Sequence, residues 1–332
     1  MAGRGSRLRP HTLTTPKPLI SVAGTPIVEQ LIYEIVKVVN DPITDIGFII
    51  GDPVFFGEDV VAFLKKLAKE LGAKAHIFRQ DMPLGTGHAV MCAEKLLNGP
   101  VVIAYADTLI RSELILDPEA DGVIWVKKVD APEAFGVVAL DQSEKIINLV
   151  EKPKEFVSDL AVIGIYYFKK SEVLKAALKN VVVQDLLPGE EYLINHGILA
   201  MIKSGAVFKA GRVEAWMDCG NPEVTLKTNS EMLEIKNAEG ESLHHHTAKI
   251  ENSTIIPPCF IGENVKIINS IIGPGVSVGE RTQIKNCNLK NCLIQNDSEL
   301  ENLTLKRAMI GNQVRYKGNP NFVSIGDYSY LQ

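Results

Sequence analysis

From Lys249 onward the chain repeats itself about every seventeen residues, a period so short that each unit can hold only a few strands and turns. Ile250, Ile267 and Ile284 recur at one phase, Ile255, Ile272 and Leu289 at a second, and Asn252, Asn269 and Asn286 at a third. Pro257 matches Pro274, and Gly262-Glu263 matches Gly279-Glu280. Within each repeat aliphatic residues return about every six positions, as in Ile255, Ile261 and Ile267 and again in Ile272, Val278 and Ile284. Three short strands per turn follow, each giving one aliphatic side chain to a shared interior. A coil of this kind buries its inner face only by stacking on the next, so the pattern predicts a parallel β-helix. A β-sandwich would not hold three residue classes in phase across three turns. About four coils fit between Lys249 and Val314.

Before Asn237 a different texture prevails. Short apolar runs, Asp45 to Gly51, Ala75 to Arg79, Val101 to Ala106, Gly122 to Val129, Gly136 to Leu140 and Ala161 to Phe168, read as strands rich in Val, Ile, Phe and Tyr. Between them Ile27 to Val39 and Glu58 to Leu71 space apolar residues by three and four, with Lys65, Lys66, Lys69 and Glu70 on the other side, as amphipathic helices do. Strands alternating with helices predict an α/β domain with a largely parallel sheet. The chain therefore divides into residues 1–237 and 247–332.

The formal net charge of -5, with no long run of Lys or Arg, argues against nucleic acid or an anionic membrane as a partner. Phosphate must then be met by a few local groups. No stretch approaches the roughly 18 to 20 apolar residues of a membrane span, and Met1-Ala-Gly-Arg-Gly lacks a signal peptide's apolar segment, so a cytoplasmic location is expected. Cys92, Cys219, Cys259, Cys287 and Cys292, odd in number and scattered, read as reduced, buried thiols. His244-His245-His246 reads as an exposed linker, because three consecutive side chains point in different directions.

The opening Ala2-Gly-Arg-Gly-Ser-Arg-Leu-Arg-Pro-His concentrates glycines and cations. Glycine lets backbone N–H groups come close to phosphate oxygens, and arginine supplies a permanently charged, forked donor. Lys17 follows ten residues after Arg7, held between Pro16 and Pro18. Gly3, Gly5, Arg7, Leu8, Pro10, Lys17, Pro18 and Pro26 together resemble the opening signature of the sugar-phosphate nucleotidyltransferases, the family of glucose-1-phosphate thymidylyl- and uridylyltransferases. The resemblance covers nearly the whole chain. It implies a Rossmann-like, GT-A-like α/β domain with a mixed, mainly parallel sheet, followed by a left-handed parallel β-helix of hexapeptide-type repeats.

Later segments resemble the family's other motifs, in the same order. Gln80-Asp-Met-Pro-Leu-Gly-Thr-Gly-His-Ala is similar to the base-recognition loop, where Gln80, Gly85 and Thr86 would read the nucleobase. Tyr105-Ala-Asp107 ends an apolar strand with a carboxylate, where ligands of open α/β sheets gather; the family usually has glycine at the place of Ala106. Gly136 in Phe135-Gly-Val-Val looks like the glycine that lies against the sugar, and Glu151-Lys152-Pro153 like the pair contacting sugar hydroxyls and phosphate. Trp216-Met-Asp218-Cys-Gly-Asn-Pro resembles the second acidic motif. The resemblance thus implies Asp107 and Asp218 as Mg²⁺ ligands, Arg7 and Lys17 as catalytic cations, Gly3 and Gly5 as backbone donors to the nucleotide, and Lys152 at the sugar phosphate.

The stretch Gly85-Thr-Gly-His-Ala is closer to the pyrimidine-using members, which favours UTP or dTTP, with glucose 1-phosphate as the default sugar. A mannose-1-phosphate guanylyltransferase, or a catalytically silent assembly subunit of the same fold, stands as the alternative. An acyltransferase activity in the β-helix would need a histidine in the coils, and none follows His246. Relatives have a β-strand just before the glycine-rich loop, so the expected start lies upstream of Met1. The β-helix, with a tail bearing Tyr328, Tyr330 and Leu331, is expected to hold a homo-oligomer and to leave the chemistry to residues before Pro222.

Overall fold

A computed structural model describes residues 1–3, 5–39, 42–111, 117, 119–182 and 191–318; Tyr328, Tyr330 and Leu331 of the tail lie outside the described residues. In chain order the principal elements before the coils are α1 (Ile27–Val38), β1 (Asp45–Ile50), α2 (Glu58–Glu70), β2 (Lys74–Arg79), α3 (Thr86–Cys92), β3 (Val101–Ala104), β4 (Gly122–Lys128), β5 (Gly136–Leu140), β6 (Ile146–Glu151), β7 (Leu160–Phe168), α4 (Ser171–Val182), α5 (Ile194–Lys203), β8 (Phe208–Arg212) and α6 (Pro222–Ala238). By compactness the chain separates into two units, Met1–Gly3 with Leu31–Trp216, and Arg4–Gln30 with Met217–Gln332. Periodicity divides the chain by secondary structure; packing groups the opening segment and α6 with the coils. No helix among the described residues is long and apolar enough to cross a membrane.

In the first unit, α2 buries Val60, Leu64, Leu67 and Ala68 on one stripe and turns Lys65, Lys66 and Lys69 outward. It ends at Gly72, whose φ of 74° provides the left-handed residue that closes a helix. α2 links β1 to β2, which pair in parallel from Asp45↔Lys74 to Ile50↔Arg79. The main sheet runs β8-β4-β7-β5-β6, with β3 also on β7. It is mixed, but β7 is antiparallel to β3, β4 and β5, and only β8 joins in parallel, on β4. The parallel majority expected from the sequence is therefore absent from this sheet. Between Gly122 and Phe168 the chain forms no α-helix, and a parallel pair needs a long crossover whereas an antiparallel pair needs only a turn. Tyr166 and Phe168 of β7 pack with Leu174 and Leu178 of α4 and Ile194 and Ile198 of α5 in one core. Gly197 permits the close approach of the two helices, since a Cβ there would stand 2.7 Å from Leu178 Cδ2.

The second unit contains a parallel β-solenoid. One face stacks Lys249–Glu251, Lys266–Ile268, Gln283–Lys285, Glu299–Glu301 and Arg315–Lys317; the other two stack four strands each. The aliphatic phases read from the sequence are the stacked residues: Ile250 pairs Ile267, which pairs Ile284, and Ile255 pairs Ile272, which pairs Leu289. Asparagine marks the corners. Asn252, Asn269, Asn286 and Asn302 take φ of 46°, 50°, 52° and 58°, a left-handed region that Asn tolerates better than other L side chains. Their amides form a ladder, Asn269 Nδ2 to Asn286 Oδ1 at 3.3 Å and Asn286 Nδ2 to Asn302 Oδ1 at 2.9 Å. The period then shortens. Leu300 sits on Ile284 sixteen residues later, one residue having been dropped between Leu289 and Ile294.

Inside the coils, Ile261, Ile267, Ile272, Val276, Val278 and Leu289 are fully buried, each contributing about 1.5–3 kcal/mol of burial. None of the five cysteines forms a disulfide. Burial raises the thiols of Cys259, to about 11, and of Cys287 and Cys292, which suits packed thiols rather than thiolate ligands. Of the histidine run, His244 and His246 are exposed, while His244 bridges to Ile261 and His245 bonds Thr247, so it begins the first coil and is more than a linker.

Within this unit the opening segment is fastened to α6 and to the coils. Asn229 of α6, with no exposed surface, accepts from the Ala23 N–H at 2.9 Å and the Ser277 hydroxyl at 2.7 Å and donates to the Gly275 carbonyl at 3.3 Å. Gln295 exchanges two bonds with the Ser21 backbone, at 3.0 and 3.4 Å. The Phe260 ring covers Gly24, where a Cβ would come within 2.3 Å of a ring carbon. The coils, expected to leave the chemistry to residues before Pro222, thus anchor the segment that carries Gly5, Arg7 and Lys17.

Candidate active site

Of the residues singled out in the sequence, Gly3, Gln80, Gly85, Thr86, Asp107, Gly136, Glu151 and Lys152 lie in the first unit, and Gly5, Arg7, Lys17 and Asp218 in the second.

In the first unit Gln80 directly follows β2, and its backbone N–H extends the ladder to Ile50 O at 2.9 Å. Its side chain, 9% exposed, donates from Nε2 to the Gly85 carbonyl at 3.0 Å. Gly85 takes φ 117° and lies so close to Tyr192 that a Cβ would meet the Tyr192 carbonyl oxygen at 2.5 Å. Gly87 is pressed on the same backbone, its N–H bonded to Tyr192 O at 2.7 Å. The glycines of this motif therefore let the start of α3 seat against the chain entering α5. The Thr86 hydroxyl accepts from Ile194 N at 3.1 Å, so its side chain fixes the loop. Gly3 follows Ala2, whose backbone lies against Gly51 at the end of β1.

A second cluster forms where β5 and β6 pair, with Gly136 opposite Glu151. A Cβ at Gly136 would stand 2.8 Å from Glu151 Oε2 and 3.9 Å from Asn195 Nδ2. Asn195, near the start of α5 and 9% exposed, reaches Glu151 Oε2 at 3.5 Å through Nδ2, while its Oδ1 is buried without a hydrogen-bond partner among the described residues. Such an acceptor is costly to bury unless a ligand completes it. Lys152, exposed, adopts φ 44°, held by its N–H on Phe135 O at 3.0 Å. The Phe135 ring meets Trp216 edge-on with centroids 5.1 Å apart. Tyr105, two residues before Asp107, has its phenol raised chiefly by burial; the carboxylates of Glu151 and Asp107 push it the same way and so lie within its electrostatic reach. Asn195, Tyr105's phenol and Trp216's indole were not weighed in the sequence reading. Asn195 stood outside every motif, and nothing local distinguishes it from a polar residue opening a helix.

In the second unit Gly5 adopts a left-handed conformation, φ 59°, and a Cβ there would stand 3.0 Å from Lys17 Cβ. The Gly5 carbonyl accepts from Leu8 N and from the Thr12 hydroxyl at 2.9 and 2.8 Å, closing the loop over Ser6–Leu8. Leu8 is fully buried while its neighbour Arg7 is exposed, so the loop presents the guanidinium outward. Lys17 is only 8% exposed and starts a short helical turn after Pro16. Asp218 is half-buried; its backbone carbonyl accepts from the Thr228 hydroxyl at 2.6 Å, and a Cβ on Gly220 would stand 2.6 Å from Oδ2, so this glycine makes room for the carboxylate.

No group of three or more His, Cys, Asp or Glu among the described residues could by itself hold a metal ion. Asp107 in the first unit and Asp218 in the second are each half-buried, and each taken alone suits a hard cation that draws a single carboxylate from protein and the rest of its shell from phosphates and water.

The Nucleotidyl transferase family profile matches residues 1–235. Glucose-1-phosphate thymidylyltransferase of Streptomyces antibioticus is 30% identical over 361 residues, 99% of this chain and 97% of that protein. Bifunctional protein GlmU of Methanococcus maripaludis is 30% identical over 271 residues, 80% of this chain but 60% of that longer protein. The crystal structure of the nucleoside-diphosphate-sugar pyrophosphorylase from Vibrio cholerae covers 69% of this chain and 97% of its own with a TM-score of 0.59; at 20% identity the likeness is one of fold.

Proposed function

We propose, from the premise that this chain belongs to the nucleotidyl transferase family as a sugar-phosphate nucleotidyltransferase, that it joins UTP or dTTP to a sugar 1-phosphate, glucose 1-phosphate by default, giving an NDP-sugar and pyrophosphate. The observation that carries the sugar assignment is the clustered triple of Gly136, Glu151 and Asn195: a missing Cβ, an ionisable acceptor and an unpartnered buried amide oxygen suit a ligand with several hydroxyls.

In the reaction a phosphate oxygen of the sugar 1-phosphate forms a bond to the α-phosphorus, and the bond from that phosphorus to the α–β bridging oxygen breaks, its electrons leaving on pyrophosphate. A phosphate monoester with a second pKa near 6 is already largely ionised at neutral pH, so no general base is needed. The obstacle is repulsion between anions, and the residues act by position and charge. Lys17 sits at the α-phosphate, where its burial strengthens its field. Arg7 stabilises the departing pyrophosphate, and Lys152 holds the sugar phosphate. Gly3 and Gly5 give backbone donors to the nucleotide, and Gln80 with Gly85 and Thr86 form its base site. Members of this family generally use divalent metal ions; here Asp107 and Asp218 would hold Mg²⁺, whose charge neutralises the phosphates. The solenoid is the proposed surface for a homo-oligomer, and a nucleoside triphosphate substrate matches a cytoplasmic location.

Pyrophosphate release measured with UTP, dTTP and GTP, each against glucose 1-phosphate, mannose 1-phosphate and N-acetylglucosamine 1-phosphate, tests this. Release with UTP or dTTP and glucose 1-phosphate is expected. Release confined to GTP with mannose 1-phosphate would overturn the pairing, and none with any pair would leave the assembly-subunit role.

A further inference from the structure

A carboxamide has two ends of opposite sense, a carbonyl oxygen that accepts and an NH₂ that donates. Which end Gln80 offers to a ligand is decided by two neighbours in the first unit. Its Nε2 donates to the Gly85 carbonyl at 3.0 Å, and because a carbonyl only accepts, reversing the amide would put two oxygens face to face. The same Nε2 lies 3.1 Å from His88 Nδ1. With Nε2 donating, Nδ1 is the acceptor and the imidazole proton sits on its Nε2. Both amide hydrogens are then used, and Gln80 Oε1 keeps no partner among the described residues. The side chain that makes these bonds is 9% exposed, so the arrangement is enclosed.

We propose that His88 is a positioning residue that fixes the Gln80 amide with its oxygen toward the nucleobase. It thereby selects uracil and thymine, whose N3 carries a hydrogen, over cytosine, whose N3 is an acceptor. The inference rests on the assignment of Gln80 to the base in the proposed function. His88 is brought to this place because α3 starts at Thr86, immediately after the sharp turn at Gly85, so its third residue faces back over the end of β2. Against an acceptor N3, a fixed Oε1 would be left opposite a second lone pair, a mismatch that discriminates more strongly than a lost apolar contact.

The test is binding of UTP, dTTP and CTP to the full-length protein by titration calorimetry in MgCl₂, for the wild type, His88→Leu, His88→Asn and Gln80→Leu. The wild type is expected to prefer UTP or dTTP over CTP by at least about tenfold. His88→Leu is expected to shrink that preference by about tenfold, while His88→Asn, whose Oδ1 falls near the place of Nδ1, keeps it within about threefold. If melting curves show that His88→Leu does not fold, His88→Ala, which only removes atoms from a half-buried side chain, carries the same expectation. Loss of preference in Gln80→Leu with none in His88→Leu would overturn the role of His88 and leave Gln80 as base reader. Equal loss in His88→Asn and His88→Leu would overturn it as well. An unchanged preference in Gln80→Leu would instead remove the base-site assignment itself.

Discussion

The two compact units bring different kinds of group to the proposed chemistry, and they hold them differently. The first offers Gln80, Asp107, Glu151 and Asn195 at strand ends and a helix start, where the ladder of β1 with β2 and the pairing of β5 with β6 fix the backbone. The second offers Arg7, Lys17 and Asp218, the first two on a loop whose anchorage comes from single side chains, Asn229 and Gln295, and the ring of Phe260. The proposed readers of base and sugar edges thus sit on regular structure. The proposed cations Arg7 and Lys17 sit instead on a segment tied down by a few polar contacts from α6 and the coils. Substitutions in the first unit should accordingly change ligand handling with the fold intact, whereas the second unit should feel changes far from any phosphate.

The largest effect is expected from Asp107→Ala. A half-buried strand-end carboxylate is not a core element, so turnover should fall by about 10³-fold or more in magnesium while the melting temperature holds. Pyrophosphate release and a melting curve check it; retained turnover would move the metal ligand elsewhere. Arg7→Ala comes next, with kcat down by about 10²-fold and the KM for sugar 1-phosphate little changed, because its charge is needed most as pyrophosphate leaves. A change confined to that KM would contradict the division of groups drawn above.

Asn229→Ala tests the anchorage. It leaves the Ala23 N–H, the Ser277 hydroxyl and the Gly275 carbonyl without this partner, so denaturant unfolding should show a loss of about 2–4 kcal/mol. Activity should fall with it, although no substrate is proposed to touch this residue. Full activity at reduced stability would show that the opening segment does not depend on α6 for its working form.

The smallest effect concerns His11, which lies beside Gly311 in the second unit and whose pKa is lowered from 6.5 by burial. The unfolded chain then binds more protons than the folded one near that value. Stability is therefore present in full above about pH 6.5 and declines as pH falls through it. His11→Gln should flatten the dependence of melting temperature between about pH 7.5 and 5.5; an unchanged slope would assign it to other groups.

Periodicity made the solenoid legible before any coordinates, because each coil meets the same neighbours and the same burial recurs at the same phase. Even the asparagine phase carried its conformation, since the left-handed corner is a local demand. Six strands of the first unit were legible to within a few residues for a similar reason, since β-branched and aromatic runs report burial on a pleated surface, whereas Ile146–Glu151 and Phe208–Arg212 were not read as strands. The site motifs were legible as resemblance.

What tertiary structure decided is which groups meet across the chain. The antiparallel setting of β7, the dropped residue after Leu289, the bond of Asn229 to Ala23 across 206 positions and that of Ile194 to Thr86 across 108 have no local signature. The same holds for Asn195 beside Glu151 and for the sense of the Gln80 amide. A side chain's type sets what it can donate or accept, and periodicity sets which face it occupies. Which partner completes it depends on the closure of distant segments, and that is fixed only when the whole chain has packed.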